Sequence, residues 1–178
     1  MTRRGRPKPL RTARLGRRGG LVGILIVVAL LVLRWWHEQP LPPPPETLAE
    51  GTFEVHRVVD GDTLLLANGA RVRLIGADTP ETVRPNHPVE PWGDQATQFT
   101  RRFVAEGPVR LQFDGPPKDR HDRFLAYVWV GDRMLNEELI RQGLARAELQ
   151  YPYSRDVKDR FRRAEDEAKA ARRGIWSQ

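Results

Sequence analysis

Two short acidic runs carry the chemistry this sequence can offer: Asp60-Gly61-Asp62-Thr63 and Asp78-Thr79-Pro80-Glu81, with Arg73 between them and Arg123 further on. Carboxylates are hard oxygen donors, so a site built on Asp62 and Asp78 suits calcium, magnesium or manganese over zinc. Two carboxylates and a backbone carbonyl would under-fill a calcium ion, which takes about 6 to 8 ligands. Water and a substrate phosphate would complete the shell. Phosphodiester hydrolysis asks for such an open site: the ion orients a phosphoryl oxygen and a nearby carboxylate activates water. Singly, Asp-Gly-Asp is a common turn, Thr-Pro-Glu a common start of a loop or helix, and an arginine on a strand is usually solvated. The absence of cysteine excludes disulfides, thiolate zinc sites and cysteine nucleophiles.

The acids need elements to bring them together. Residues 62–67 and 71–77 flank Asn68-Gly69, a signal for a two-residue type I′ hairpin, so both acidic runs lie at its open end. With Asn68 and Gly69 as the central turn residues, Asp62 faces Ile75, Arg73 faces Leu64, and the four share a face. Asp78 then lies about 10 Å beyond Ile75 in a flat ladder, too far for both carboxylates to hold one ion. The hairpin must bend, and Gly61 and Gly76 stand where a bulge or sharp twist would bend it.

Elsewhere, residues 52–59 alternate as a strand, and Ala96, Phe99, Phe103 and Val104 have helical spacing over 93–106. A strand at 108–113, a polar loop at 114–122 and a strand at 123–130 follow. Gly131-Asp132 then turns into a helix with Leu135, Leu139 and Ile140, closed by Gly143. A charged helix at 155–173 ends before Gly174, leaving Trp176 to fold back as an apolar plug. Early strands and later helices imply an α+β domain on a small closed sheet.

The formal net charge of +7 lies in the wrong place to argue that the domain binds nucleic acid. Residues 1–20 hold eight Lys and Arg and no acid, whereas from residue 51 onward 21 Lys and Arg meet 20 Asp and Glu. The chain divides into a basic tail (1–18), an apolar segment (19–36), a proline-rich linker (37–50) and a domain (51–178). The aliphatic stretch 19–33 covers about 22 Å as a helix, and Arg34, Trp35 and Trp36 suit a membrane interface, so a short spanning anchor is expected. A cleaved signal peptide is the alternative, which would make the domain secreted, but no pair of small residues marks a cleavage site. The excess of basic residues before the segment places the N-terminus in the cytoplasm and the domain outside the cell membrane. The prolines after it form a stiff spacer.

The runs VVDGDTLLL, RLIGADTPE, DRFLAYVWV, NEELIRQGLA and GIW, in that order, resemble the staphylococcal nuclease, or thermonuclease, family over about residues 52–176. The resemblance implies an OB-fold: a five-stranded β-barrel with three helices, here preceded by one N-terminal transmembrane helix. It implies a calcium-dependent nuclease that hydrolyses DNA, RNA or both to 3′-phosphate products, acting as a monomeric domain with no protein partner. By the same resemblance Asp62 and Asp78 are the calcium carboxylates, Thr79 supplies a backbone carbonyl, and Asp60 is an acid behind them. Glu81 matches the general base for the attacking water, and Arg73 and Arg123 match the arginines on the scissile phosphate. Arg120, His121 and Tyr151 match substrate-binding positions. A histidine holds phosphate best when protonated, so weaker or more pH-dependent binding of terminal phosphates is expected at His121. One of the two tyrosines at the base-binding pocket is replaced by Leu149, with Tyr153 close enough to substitute by a small shift. His121 and His87 are expected to face solvent, and His56 to be structural. The rival reading is a non-catalytic OB module that binds nucleic acid, or a membrane-anchored adaptor.

Overall fold

The structure is a computed structural model that describes residues 17–37, 41–82 and 90–177, with the side chains of the first helix described from Gly23 to Arg34. The basic tail before residue 17, and His87 with the rest of 83–89, lie outside the described residues. The chain forms two compact units, Met1–Pro40 and Leu41–Gln178.

In the first unit, helix α1 runs Arg17–His37. Its apolar side chains from Ile24 to Leu33 are exposed. Among the described residues no helix is long and apolar enough to cross a membrane. The transmembrane helix expected over 19–36 is therefore not found as such.

The second unit is α+β with an OB-like, curled half-barrel sheet. Its strands are β1 (Gly51–Phe53), β2 (Val55–Asp60), β3 (Thr63–Leu66), β4 (Arg71–Leu74), β5 (Ala77–Asp78), β6 (Val109–Lys118), β7 (Phe124–Val130), β8 (Arg133–Met134) and β9 (Arg146–Ala147). Helices α2 (Gly93–Val104), α3 (Leu135–Arg141) and α4 (Arg155–Ala170) complete it, with a 3₁₀ turn at Gly174–Trp176. The main sheet has the order β1-β6-β7-β4-β3-β2, β8 pairs with β7, and β5 pairs separately with β9. β1 and β2 are consecutive, with Glu54 alone between them, so the segment 51–60 pairs with β6 at one end and with β3 at the other and the sheet curls as the OB-like expectation requires, in more and shorter strands than five. Register shifts at Val55/Arg57 and Val58/Asp60 interrupt the first hairpin.

β7 lies between β6 and β4, and its run FLAYVWV is buried at five of seven positions, as a strand covered on both faces requires. The parallel pairing Val72↔Phe124 through Leu74↔Ala126 sets the strand that carries Arg73 beside the one that follows Arg123. α2 buries Ala96, Thr97, Thr100 and Phe103 at helical spacing, and α4 buries Phe161, Ala164 and Ala168. Phe161 meets Tyr127 and Tyr153 with ring centroids 6.2 and 6.0 Å apart, so α4 is held to β7 by an aromatic cluster. Residues 41–50, expected as a spacer, belong to this same unit: Leu48 packs on the core and Glu50 accepts a hydrogen bond from Phe113 N at 2.9 Å.

The hairpin register differs by one residue from the expectation. Thr63 pairs with Arg73 and Leu64 with Val72, and Leu74 N donates to Asp62 O at 2.9 Å. Asp62 therefore faces Leu74, not Ile75, and Arg73 faces Thr63, not Leu64. The reason is the turn: Ala67, Asn68 and Gly69 form a three-residue loop in which Gly69 takes φ +81°, and Leu66 N bonds to Ala70 O. β6 also extends into the expected loop, pairing Lys118 with Phe124 beyond an irregularity. Pro116 and Pro117 lack amide donors and read as loop in the sequence, but a strand tolerates them where no ladder bond is needed.

Candidate active site

The bend the chemistry needs is present at Gly76, while Gly61 lies in the turn between β2 and β3. β4 stops at Leu74, Gly76 turns the chain at φ +72°, and β5 then carries Asp78 back toward Asp62. A Cβ on Gly76 would meet Tyr153 Oη at 2.7 Å and Phe161 Cε2 at 2.8 Å, while one on Gly61 would meet Thr79 Oγ1 at 2.7 Å. Gly76→Ala is expected to incur about 1–3 kcal/mol of backbone strain and about 1–3 kcal/mol of overpacking. A drop in the urea midpoint together with weaker nuclease activity would report both the strain and the displaced Asp78.

Asp62 is buried and receives Thr79 N at 2.9 Å, Thr79 Oγ1 at 2.8 Å and Thr63 Oγ1 at 3.0 Å. Arg73 donates through Nη1 to Asp62 Oδ1 and through Nη2 to Asp78 Oδ1, so one guanidinium bridges both carboxylates. Burial pushes the Asp62 carboxyl up, against the Arg73 charge and the Thr79 bonds. Behind it, Asp60 accepts from Thr82 Oγ1 at 2.7 Å and Gly61 N at 2.8 Å. Burial raises the Asp60 carboxyl, but these bonds outweigh it and leave it below the usual carboxylate range. Among the described residues no three His, Asp or Glu side chains converge as a ready metal cluster. What converges is Asp62 with Asp78, tied by an arginine.

The second arginine is held differently. Asp119 accepts from Arg123 Nε at 2.8 Å and Nη2 at 2.6 Å, while Arg123 Nη1 lies 3.4 Å from Thr63 Oγ1. The same Asp119 accepts from His121 N at 2.8 Å, shaping the turn before Arg123. Arg73, Asp78, Glu81, Arg123 and Tyr151 line one open cleft of about 780 Å³, together with Lys118, Arg120 and His121. Seven of the nine residues expected at the site, Glu81 among them, line this cleft, and the other two, Asp62 and Thr79, are buried beside it.

Other expectations are corrected. Tyr153 is buried, its hydroxyl bonds Glu148 O at 3.0 Å, and Leu149 packs against the core, so neither replaces the missing tyrosine; Tyr151, 44% exposed, stands in the cleft. His121 is exposed as expected, and Arg120 Nε donates to its Nε2 at 3.1 Å. His56 lies exposed on β2, away from the cleft-lining residues. Three contributors went unread in the sequence. Asp119 had a signal, an acid four residues before Arg123. Asn136, fully buried, accepts Val128 N at 3.0 Å and donates to Ile75 O at 3.0 Å, fixing the chain between Arg73 and Gly76. Glu148 lines the cleft with no local pattern to announce it.

Two guanidinium forks facing an open cleft, with carboxylates beneath, suit a diester anion attacked by water, which defines a phosphodiester-hydrolysing nuclease. Comparison with known proteins agrees. A family model described as staphylococcal nuclease homologue matches residues 71–178. The Thermonuclease of Staphylococcus hyicus is 44% identical over 131 residues, covering 72% of this chain and 77% of the relative. The Thermonuclease of Staphylococcus intermedius is 38% identical over 161 residues, covering 88% and 95%. Endonuclease YncB of Bacillus subtilis (strain 168) is 40% identical over 125 residues, covering 68% and 59%. The chain belongs to the staphylococcal nuclease homologue family and is a nuclease.

Proposed function

We propose that this nuclease is calcium-dependent, cuts DNA, RNA or both at the bond between phosphorus and the 5′ oxygen, and leaves 3′-phosphate ends. The observation that carries the reading is the all-oxygen donor set of Asp62 and Asp78 beneath a cleft with two arginines. Asp62, Asp78 and the Thr79 carbonyl would hold the ion, and hard oxygen donors without nitrogen or sulfur fit it. Bound there, calcium supplies Lewis-acid polarisation of a phosphoryl oxygen. Glu81, at the wall of the cleft, takes the proton of the attacking water. Arg73 and Arg123 donate to the phosphate oxygens as charge builds on them. Arg120 and His121 meet a flanking phosphate, and Tyr151 offers a stacking face worth about 1–3 kcal/mol per base.

The test is the purified full chain assayed on DNA and on RNA, with calcium, with magnesium and with a chelator. Cleavage restored by calcium alone, with 3′-phosphate ends, supports the reading, and cleavage undiminished by the chelator overturns it. We also propose that the apolar segment at 19–36 anchors the nuclease in the cell membrane with the domain outside. The basic residues before the segment and its uncharged aliphatic run support this placement. Protease added to spheroplasts then removes the domain; full protection refutes the topology.

A further inference from the structure

Arg73 spends Nη1 on Asp62 Oδ1 and Nη2 on Asp78 Oδ1. These carboxylates are the ones the calcium reading needs, and a guanidinium and a divalent cation cannot share the same oxygens at bonding distance without strong repulsion. A cation arriving there must displace Arg73, and a half-buried guanidinium so displaced needs another anion. Arg123 shows what the other phosphate arginine has: Asp119 holds its Nε and Nη2 edge, leaving Nη1 toward the cleft. Arg73 has no such backing acid in its present arrangement.

One acid is placed to supply it. Arg73, Arg123, Asp119, Tyr151 and Glu148 line a small pit of about 80 Å³. The Glu148 backbone is fixed on both sides, its N donating to Gly76 O at 3.0 Å and its O accepting Tyr153 Oη at 3.0 Å. The two preceding residues pair with Ala77 and Asp78, so Glu148 cannot drift from the bend. Its half-buried carboxylate accepts Gln150 Nε2 at 3.3 Å, and among the described residues it makes no ion pair. Burial and the Asp78 charge push this carboxyl up while Arg73 pulls it down, which places Glu148 within electrostatic reach of the guanidinium.

We propose that Glu148 is a positioning residue: it receives the Arg73 guanidinium when a divalent cation takes Asp62 and Asp78, and so turns Arg73 from a tie across the cation seat into a phosphate donor beside Arg123. The inference rests on the calcium reading above. Its rival is that Glu148 touches the cation itself. A double-mutant cycle on calcium affinity separates the two, because a residue acting through Arg73 loses its effect once Arg73 is gone.

The experiment is calorimetric titration of calcium, without nucleic acid, into the detergent-solubilised full chain as wild type, Glu148→Gln, Arg73→Gln and the double variant, with thermal melting to confirm folding. Glu148→Gln is expected to weaken calcium about three- to tenfold, Glu148→Ala to match it, Arg73→Gln to tighten it, and the double variant to match Arg73→Gln within about twofold. An equal loss from Glu148→Gln in the Arg73→Gln background makes Glu148 a direct ligand and overturns the inference. No loss in the wild-type background makes it a bystander and also overturns it, with the calcium reading intact. Absence of calcium binding in both wild type and Arg73→Gln overturns the calcium reading, and the inference with it.

Discussion

Glu81→Gln is expected to lower kcat for DNA cleavage by about 10²–10⁴-fold, the range for losing a positioned general base. Glutamine has nearly the same shape but cannot take a proton from water, so folding, calcium binding and KM should change little. Glu81 lines the cleft at its edge, and Asp60 is the other acid near enough to be mistaken for the base. Their surroundings separate them. Asp60 is buried and accepts from Thr82 Oγ1, Gly61 N and Thr97 Oγ1, which makes it a structural support beside Glu81 rather than a partner for water. Asp60→Asn is accordingly expected to cost less than Glu81→Gln. Plasmid-nicking rates on the two variants, with melting curves as the folding control, decide it: a Glu81→Gln enzyme that keeps more than about a tenth of the wild-type rate, beside an inactive Asp60→Asn, would reverse the roles.

The acids at the open end of the hairpin were legible because their types and order are local facts of the sequence. The bend was legible too, since Asp62 and Asp78 could not meet without it and Gly76 stood at the hinge. The register was not. Asn68-Gly69 satisfies a two-residue turn and also the end of a three-residue loop, and only the pairing of Leu66 N with Ala70 O distinguishes them. A one-residue slip exchanges the faces of a strand, yet the site survives the misreading because Arg73 has a long side chain that still reaches Asp62 from the Thr63 side of the ladder.

Residues that work at a distance in sequence were the hardest to foresee. Asn136 sits in a helical run where an asparagine would ordinarily be a surface or capping residue, and its burial depends on Val128 and Ile75 arriving from two other segments. Glu148 enters the cleft only because β9 pairs with the two-residue β5, an element too short to carry any pattern of its own. Tyr151 and Tyr153 differ by two positions, and the aromatic contacts of Tyr127 and Phe161 bury the second while leaving the first in the cleft.

Arg123→Ala is the second large effect expected, a fall of about 10²–10³-fold in kcat from removing a charged donor that faces the developing phosphate charge. Arg123→Lys should recover little of it, because a point charge cannot keep one edge on Asp119 and offer the other to an oxygen. Asp119→Asn should be milder, since the arginine remains and only its orientation loosens. Burial pushes the Asp119 carboxyl up, but hydrogen bonds from Arg123 and from His121 N outweigh it and hold it below its ordinary value of 3.8. A depressed carboxylate contributes stability that is present above its ordinary value and lost as pH falls through the lower folded value. The Asp119 carboxylate is therefore ionised above its ordinary value, and the rate ratio of Asp119→Asn to wild type should be flat from about pH 5 to about pH 9. A ratio that slopes there would mean that something other than Asp119 sets the arginine, and the phosphate clamp would need a different support.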